Sequence, residues 1–248
     1  MKIARFSHDG AIAFGVVDDD DLVVLQGDPM FAGYEPTGER VPLGDAKLLA
    51  PVIPRSKVIV LEGGVLAGAG DEGFRFTLKP NTAVVGPGDA IVLPAQSSDV
   101  VAGGEIAAVI GRIAKNVSTA DAAGAIFGYT VATNVVARDL QEEDEQSSRA
   151  LAFDTFCPLG PVIETDLDAA ATVQGHVNGE GFQESDAEPA LSRMSEAVAF
   201  LSSVFTLLPG DVIVTGVSDA EGVLRSGDTI TVDVPGLGTL SNPVRAAQ

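Results

Sequence analysis

The stretch VVAGGEIAAVIGR, residues 100–112, decides the interpretation of the whole chain. Its second half, from Ile106 to Ile110, is short, apolar and closed by Gly111, as expected for a strand buried on both faces. A single acid, Glu105, stands at the mouth of this strand beside two glycines. One carboxylate is too few for a metal site, and a carboxylate is costly to bury without a partner. The stretch therefore predicts a buried β core with one acidic side chain that requires an explanation.

The composition indicates a large core and a strongly acidic surface. Of the 248 residues, 46% are hydrophobic, and the formal net charge is −20. Such a surface repels nucleic acids and anionic membranes, and no apolar run approaches the ~20 residues of a membrane span, so we expect neither partner. Cys157 is the only cysteine. Together with an N-terminus that lacks the apolar region of a signal peptide, this favours a cytoplasmic location.

Short strand patterns and Gly/Pro turns dominate the chain. They predict a mixed α/β, β-rich fold with a small N-terminal β domain at 1–50 and a larger domain at 51–248. The acidic run at 18–21 interrupts two strand patterns, which predicts a hairpin turn. The second acidic run, at 142–145, is expected in a surface loop.

Two segments have helical patterns. The first is expected to begin at Ser118 or Thr119, either of which can cap it, and to end at Gly128. The second covers residues 192–208 and places apolar side chains on one face. These are the only helices that the sequence clearly predicts, which fits a β roll or sandwich.

Several motifs occur together in one order and resemble the fumarylacetoacetate hydrolase (FAH) family over essentially the whole chain. The resemblance implies a β-roll catalytic domain behind a small N-terminal β domain, usually in a homodimer. It also implies an ancestral Mg²⁺ or Mn²⁺ enzyme that acts on a 1,3-dicarbonyl, a 2-oxo acid or an enol. The motifs that carry the resemblance are LKPNTAVVGPGDAIVLP, GEIAAVIGR, GYTVATNVVARDLQ, FDTFCPLGPVIETDLD, VNGE, TLLPGDVIVTG and GLGTLSNPV.

The resemblance also implies that the metal ligands have been lost. A Glu-x-Glu pair and a later Asp hold the ion in the family, and these positions fall on Gly103, Glu105 and Asn134. One carboxylate cannot balance a divalent ion that prefers several anionic oxygen ligands, so we expect no metal and no other cofactor. Asp99 or Glu62 could replace a ligand, although neither lies at a family position.

At other active-site positions, the resemblance likewise implies that polar residues of the family are replaced by apolar residues or glycine. The tyrosine and histidine of the active-site segment fall on Val65 and Gly68, the lysine of a later motif falls on Leu151, and the last turn falls on Val217. These replacements predict a larger and less polar cavity that binds a small molecule. The predicted substrate-binding residues are Val65, Gly68, Lys79, Gly103, Asn134, Leu151, Thr215 and Val217.

Some polar residues of the family motifs are retained. Arg138 and Gln141 stand where family members contact substrate oxygens, and with Glu105 they are the predicted catalytic residues. Each retained residue also has a structural alternative. Asp139 would hold Arg138 in place, and Lys79 would pair with a carboxylate.

Three functions remain open at this point. The first is a metal-independent enzyme, a cyclase (cycloaddition included) or isomerase, acting on a polyketide-like or dicarbonyl natural-product intermediate. Glu105 would serve as acid or hydrogen-bond donor, because a buried and unpaired carboxyl has a raised pKa. The alternatives are a catalytically silent binding or scaffold protein and a conventional C–C hydrolase, decarboxylase or tautomerase. The first function requires the protein to lower the reaction barrier by holding the reacting groups in the correct orientation. In favourable cases this effect lowers the barrier by roughly 7–11 kcal/mol.

Overall fold

A computed structural model describes residues 1–63, 73–168, 170–216 and 221–247, most of them in strands. The first nine strands are β1 (Lys2–His8), β2 (Ala11–Asp18), β3 (Asp21–Leu25), β4 (Pro36–Pro42), β5 (Lys47–Leu49), β6 (Val58–Leu61), β7 (Phe76–Lys79), β8 (Val84–Val85) and β9 (Ile91–Leu93). The other nine are β10 (Val100–Ile110), β11 (Ile126–Ala137), β12 (Cys157–Glu164), β13 (Thr172–Val177), β14 (Glu180–Asp186), β15 (Val212–Val214), β16 (Gly222–Val223), β17 (Thr229–Val234) and β18 (Gly238–Ala246). The helices of the described ranges are α1 (Pro29–Ala32), α2 (Thr119–Ala122), α3 (Arg138–Asp144), α4 (Ser148–Leu151), α5 (Glu188–Ser192) and α6 (Met194–Val204).

Two sheets build the described part of the molecule, and this confirms the mixed α/β, β-rich fold. A 13-stranded sheet runs in the order β4-β3-β2-β1-β12-β11-β10-β15-β6-β7, and the short strands β5, β8 and β16 pair beside this path. A five-stranded sheet runs in the order β14-β13-β17-β18-β9. The first strand, β1, pairs with β12 through Lys2 and Ile3, so the N-terminal strands extend the sheet of the larger predicted domain.

Strand β10 forms the centre of the larger sheet, and all eleven of its residues are buried. One of its faces packs on the five-stranded sheet at Gly104, where an added Cβ would lie 2.8 Å from a methyl group of Val232. The close approach of the two sheets therefore explains a glycine at this position. Because side chains alternate along a strand, Gly103 and Glu105 lie on the other face.

The neighbour of β10 on one side is interrupted. Strand β15 pairs with Ala107 to Val109, and β16 pairs with Val101 and Ala102, so among the described residues the backbone between them has no strand partner on this edge. The side chain of Gln183 fills part of this gap. Its amide oxygen accepts the N–H of Gly104 and its amide nitrogen donates to the Gly104 carbonyl, so these buried backbone groups are satisfied without a strand.

The two acidic runs have different structures. At 18–21, Asp18 pairs with Asp21 across a tight turn in which Asp19 has a positive φ of 53°, and this confirms the predicted hairpin. The prediction of a surface loop at 142–145 is wrong, because Glu142 to Asp144 form the last turn of α3.

The helix predictions are only partly confirmed. The side chain of Ser118 accepts the N–H of Asp121 and caps α2, but this helix ends at Ala122 and continues as a short 3₁₀ turn. The predicted end at Gly128 is wrong, because Gly128 lies inside β11, where an added Cβ would approach the Glu164 carbonyl oxygen to 2.6 Å. Close backbone packing, not a helix end, explains that glycine. The segment 192–208 is not one helix, since α5 and α6 divide at Arg193. None of the helices in the described ranges is long and apolar enough to cross a membrane.

Candidate active site

A cavity of about 190 Å³ lies beside the gap between β15 and β16, and Gly216 and Glu221, from the two sides of that gap, line it. The strands and helices around it contribute both polar and apolar side chains. The polar lining residues are Glu62, Glu105, Asn134, Gln141, Ser147 and Glu221. The apolar part of the wall includes Val60, Val101, Val136 and Leu151. Three glutamates belong to the described lining, so the cavity is not predominantly apolar, and the predicted difference in polarity from other family members stays a prediction.

Glu105 lies at the wall of this cavity and is only 3% exposed. Its Oε2 accepts a hydrogen bond of 2.5 Å from the hydroxyl of Thr215. Thr215 follows β15 directly, and its own N–H donates to the Ile106 carbonyl, which fixes the hydroxyl beside the carboxyl group. The premise that Glu105 is buried without a partner is therefore wrong, and Thr215 acts in positioning it.

Asn134 stands opposite Gly103 in the register of β10 and β11, so the two residues share the face of the sheet that carries Glu105. The Oδ1 atom of Asn134 is buried and has no hydrogen-bond partner among the described residues. A buried acceptor without a partner costs free energy. A donor group on a bound molecule would remove that cost.

The helices after β11 supply another side of the cavity. Gln141 lies on α3 and its Nε2 donates to the Ser147 hydroxyl at 2.9 Å. Leu151, on α4, adds an apolar contact to the same wall. The structure thus brings Gly103, Asn134, Gln141 and Leu151 to the cavity, as expected from the sequence.

Arg138 is held by two acids, and neither of them is Asp139. Its Nε and Nη2 donate to the two carboxylate oxygens of Asp99 at 2.8 and 3.1 Å, and its Nη1 donates to Glu221 at 3.0 Å. The predicted partner Asp139 instead accepts hydrogen bonds from Ser97 and Ser98. Burial alone would raise the pKa of Asp139, but these hydrogen bonds outweigh burial and lower it to about 2. The expectation that Asp139 holds Arg138 is wrong.

Lys79 is buried behind the cavity wall and is only 1% exposed. Its ammonium donates to the backbone carbonyls of Val135 and Phe156, both at 2.8 Å, and not to the carboxylate suggested by the sequence. Burial lowers the pKa of Lys79 to about 8, although the nearby Cys157 and Glu105 oppose the change. Lys79 is absent from the described cavity lining, so its predicted contact with substrate is not supported by its position.

Three predicted substrate-binding residues, Val65, Gly68 and Val217, lie outside the described residues. Sequence reasoning missed Ser147 and Glu221. Neither belongs to a recognisable motif, and Glu221 reaches the cavity only because the chain re-enters the sheet at β16. Glu62, considered only as a substitute metal ligand, also lines the cavity, and its carboxylate accepts a hydrogen bond from the Thr77 hydroxyl.

The residues at the family's metal positions do not fit a divalent ion. Gly103 has no side chain, Asn134 offers a neutral amide oxygen, and only Glu105 offers a carboxylate, which already accepts the Thr215 hydroxyl. Within the described ranges, no group of three His, Cys, Asp or Glu residues could hold a metal ion. Glu62 and Glu221 line the same cavity without forming such a group. A donor set with one anionic ligand provides too little charge for Mg²⁺.

Comparison with known proteins agrees with this architecture. A family model described as fumarylacetoacetate (FAA) hydrolase, C-terminal, matches residues 71–245, and one described as Rv2993c-like, N-terminal, matches residues 1–51. Protein Rv2993c of Mycobacterium tuberculosis is 37% identical over 265 aligned positions, which cover 98% of each chain. The mitochondrial oxaloacetate tautomerase Fahd2a of Rattus norvegicus is 32% identical over 222 positions, covering 82% of this chain and 71% of that protein.

A solved structure extends the likeness to the whole backbone. The crystal structure of 5-carboxymethyl-2-hydroxymuconate delta-isomerase from Mycobacterium smegmatis is similar with a TM-score of 0.92 and 41% identity, and all of both chains is covered. The order of the strands, the position of the cavity beside β10 and these matches lead to one conclusion. The chain belongs to the fumarylacetoacetate hydrolase family.

Proposed function

We propose that this protein is an isomerase that moves a proton within a small carbonyl compound, and that it does so without a divalent metal. The observation that carries the proposal is the position of Glu105, a buried carboxyl group at the wall of a cavity, oriented by Thr215. A carboxylate in that position can remove a proton from the carbon beside a carbonyl group. The same group can return the proton to another atom of the resulting enol, so the reaction needs no other reactant.

The amides beside Glu105 support the same chemistry. An enol or enolate oxygen carries negative charge as the proton leaves, and an N–H group directed at it lowers the barrier. Asn134 and Gln141 both line the cavity and carry amide N–H groups. We assign them to the carbonyl oxygen. Arg138 contributes through its pairs with Asp99 and Glu221, which place it behind Glu221 and not among the described lining residues.

Two relatives support an isomerase as the class of enzyme. One is named as a delta-isomerase of 5-carboxymethyl-2-hydroxymuconate and the other as an oxaloacetate tautomerase. Both names describe the movement of a proton in a compound with an enol or keto group. We propose the same class of reaction for this chain, on a 1,3-dicarbonyl or a polyketide-like substrate.

A cyclisation of such a substrate is the second candidate. The apolar part of the wall, formed by Val60, Val101, Val136 and Leu151, offers a surface against which a flexible chain could fold. Holding two ends of a substrate together lowers the barrier of an intramolecular reaction without a metal. Product analysis separates the two candidates, because an isomerase exchanges a substrate proton with solvent even where no ring forms.

The test measures proton exchange with purified full-length protein in D₂O and EDTA. A panel of 1,3-dicarbonyl compounds is followed by NMR for loss of the signal from the carbon between the carbonyl groups. We expect catalysed exchange in the wild type and a fall in kcat of about 10²- to 10⁴-fold in Glu105→Gln, because the amide cannot accept the proton. Glu39→Gln, at an exposed position in β4, is the matched control and should keep the wild-type rate.

Other outcomes would contradict the proposal. Equal rates in the wild type and Glu105→Gln would favour a catalytically silent binding protein. Loss of exchange in EDTA and its return with Mn²⁺ would favour the conventional activity of the family. The melting temperature of Glu105→Gln should stay near that of the wild type, which separates lost chemistry from lost structure. The homodimer expected from the resemblance stays a prediction, and sedimentation at several protein concentrations would test it.

A further inference from the structure

The ionisable side chains among the described lining residues of the cavity are all acidic. Glu62, Glu105 and Glu221 line it, and the described lining contains no Lys, Arg or His. Among the described lining residues, the cavity therefore has several carboxyl groups and no cationic side chain.

Two described cations beside the cavity residues, Arg138 and Lys79, are already engaged. The guanidinium of Arg138 is bound on one side by Asp99 and on the other by Glu221, through three hydrogen bonds of 2.8 to 3.1 Å. The ammonium of Lys79 is enclosed by two backbone carbonyls and is 1% exposed. Neither group lines the cavity, so neither can bind a carboxylate of a ligand there without giving up its present partners.

A carboxylate in this cavity would meet like charges on several sides. Like charges brought together in a recognition site can cost several kcal/mol. A cationic group would instead gain from the same carboxylates. The net charge of −20 on the whole chain acts in the same direction during approach.

We propose that the substrate of this cavity carries a positive charge, in the form of an ammonium or similar organic cation attached to the reacting carbonyl unit. This inference rests on the proposed function, since it names the substrate class of the same site. It departs from the compounds named for the two relatives, because 5-carboxymethyl-2-hydroxymuconate and oxaloacetate are both polycarboxylates. The loss of the metal positions fits this change, since a divalent ion would no longer be needed to balance substrate carboxylates.

Three matched probes test the inference by calorimetry with the wild-type protein. Each contains the same acetylacetone unit and propylene spacer, and they end in trimethylammonium, hydroxyl or carboxylate. We expect the ammonium probe to bind most tightly, with a Kd about tenfold or more below that of the carboxylate probe. Equal affinities, tightest binding of the carboxylate probe, or no binding by any of the three would overturn the inference.

Variants locate the source of the preference. Glu62→Gln should weaken binding of the ammonium probe and reduce the difference in Kd between the ammonium and carboxylate probes. Glu39→Gln should leave that difference unchanged. The double variant Asp99→Asn, Glu221→Gln releases Arg138 and should improve binding of the carboxylate probe. If neither Glu62→Gln nor the double variant changes the relative affinities of the three probes, the charge of the cavity wall does not determine the preference and the inference fails. A circular-dichroism melt of each variant confirms that the measured chain is folded.

A Mg²⁺ titration gives an independent arm. If Mg²⁺ binds and makes the carboxylate probe the tightest ligand, the acids of the wall serve a metal and the inference is overturned. The result is separable from the proposed isomerisation. Ammonium preference without proton exchange would support the charge inference and refute the isomerase, whereas exchange that is fastest for the carboxylate probe would do the reverse.

Discussion

The two ends of strand β15 hold two buried carboxylates in different surroundings. At its start, Asp211 is completely buried and accepts hydrogen bonds from the Ser56 hydroxyl, from the backbone N–H groups of Lys57 and Leu208, and from the Lys57 ammonium. These donors join the loop before β6 to the turn before β15. Asp211 therefore acts as a structural link between two neighbouring parallel strands.

At the other end of β15, the hydroxyl of Thr215 donates to Glu105. This carboxyl group is almost as deeply buried as Asp211, yet it lines a cavity. The comparison teaches that burial alone does not identify a functional acid. Asp211 is enclosed by backbone N–H groups and an ion pair, whereas one side of Glu105 faces a cavity.

The largest effect is expected at the structural end of the strand. Asp211→Ala should lower the free energy of unfolding by about 3–5 kcal/mol, because it leaves the Lys57 ammonium without its carboxylate and breaks the link between two strands. Urea denaturation of the purified protein measures this, with Glu39→Gln as the control. A loss below about 1 kcal/mol would show that Asp211 is not the structural member of the comparison.

A smaller effect is expected when the family's acids are restored beside Glu105. The double variant Gly103→Glu, Asn134→Asp should bind Mn²⁺ about tenfold or more tightly than the wild type, because three carboxylates then face the same side of the sheet. Calorimetry or electron paramagnetic resonance measures the affinity. Gly103→Gln has a side chain of the same size without charge and should show no gain. Equal Mn²⁺ binding by wild type and double variant would contradict the interpretation of Gly103 and Asn134 as lost ligands.

The smallest effect comes from Lys79, the buried cation whose charge is felt by Glu105. Burial lowers its pKa from 10.5 to about 8, so between these values the unfolded chain binds more protons than the folded one, and stability rises with pH. We expect the free energy of unfolding to increase by about 1 kcal/mol from pH 8 to pH 9 in the wild type relative to Lys79→Met.

The buried thiol of Cys157 affects stability at the upper end of this pH range. Burial raises the pKa of Cys157 from 9.0 to about 11, so between these values the folded chain holds an extra proton at this thiol. This opposes the gain from Lys79, so the rise in stability levels off above pH 9 and turns into a fall only when the Lys79 contribution ends. Urea denaturation at several pH values measures both trends. Lys47→Met, at an exposed lysine, should follow the wild type throughout. A wild-type slope equal to that of Lys79→Met would show that the ammonium is not held in the folded state as the structure places it.

The sequence predicted the parts of the fold that depend on local pattern. The apolar run after Glu105 became the central strand, and the acidic run at 18–21 became a hairpin. Predictions failed where a distant contact competes with local pattern. Gly128 was expected to end a helix but lies in a strand, because the backbone of Glu164 passes too close for any side chain.

The site divides in the same way. Gly103, Asn134 and Gln141 could be placed at the cavity from the motifs, since β10 and β11 carry them in a fixed register. The partners could not be predicted. Arg138 was assigned to its sequence neighbour Asp139, but the fold pairs it with Asp99 and Glu221, which are 39 and 83 residues away. Sequence proximity is a poor guide to ion pairs because a long side chain can pair with any charged group that the packing of the chain brings within its reach.

The sequence by itself determined the family and the β-rich character of the chain, because both depend on which residue types occupy recognisable positions. Only the tertiary structure decided that Thr215 holds Glu105, that Lys79 is enclosed by carbonyl groups, and that three glutamates share one cavity. The physical reason is that these contacts join strands and helices far apart in the chain. Their geometry follows from how two sheets pack and where the partner of β10 is interrupted, and neither is encoded in any short stretch of sequence.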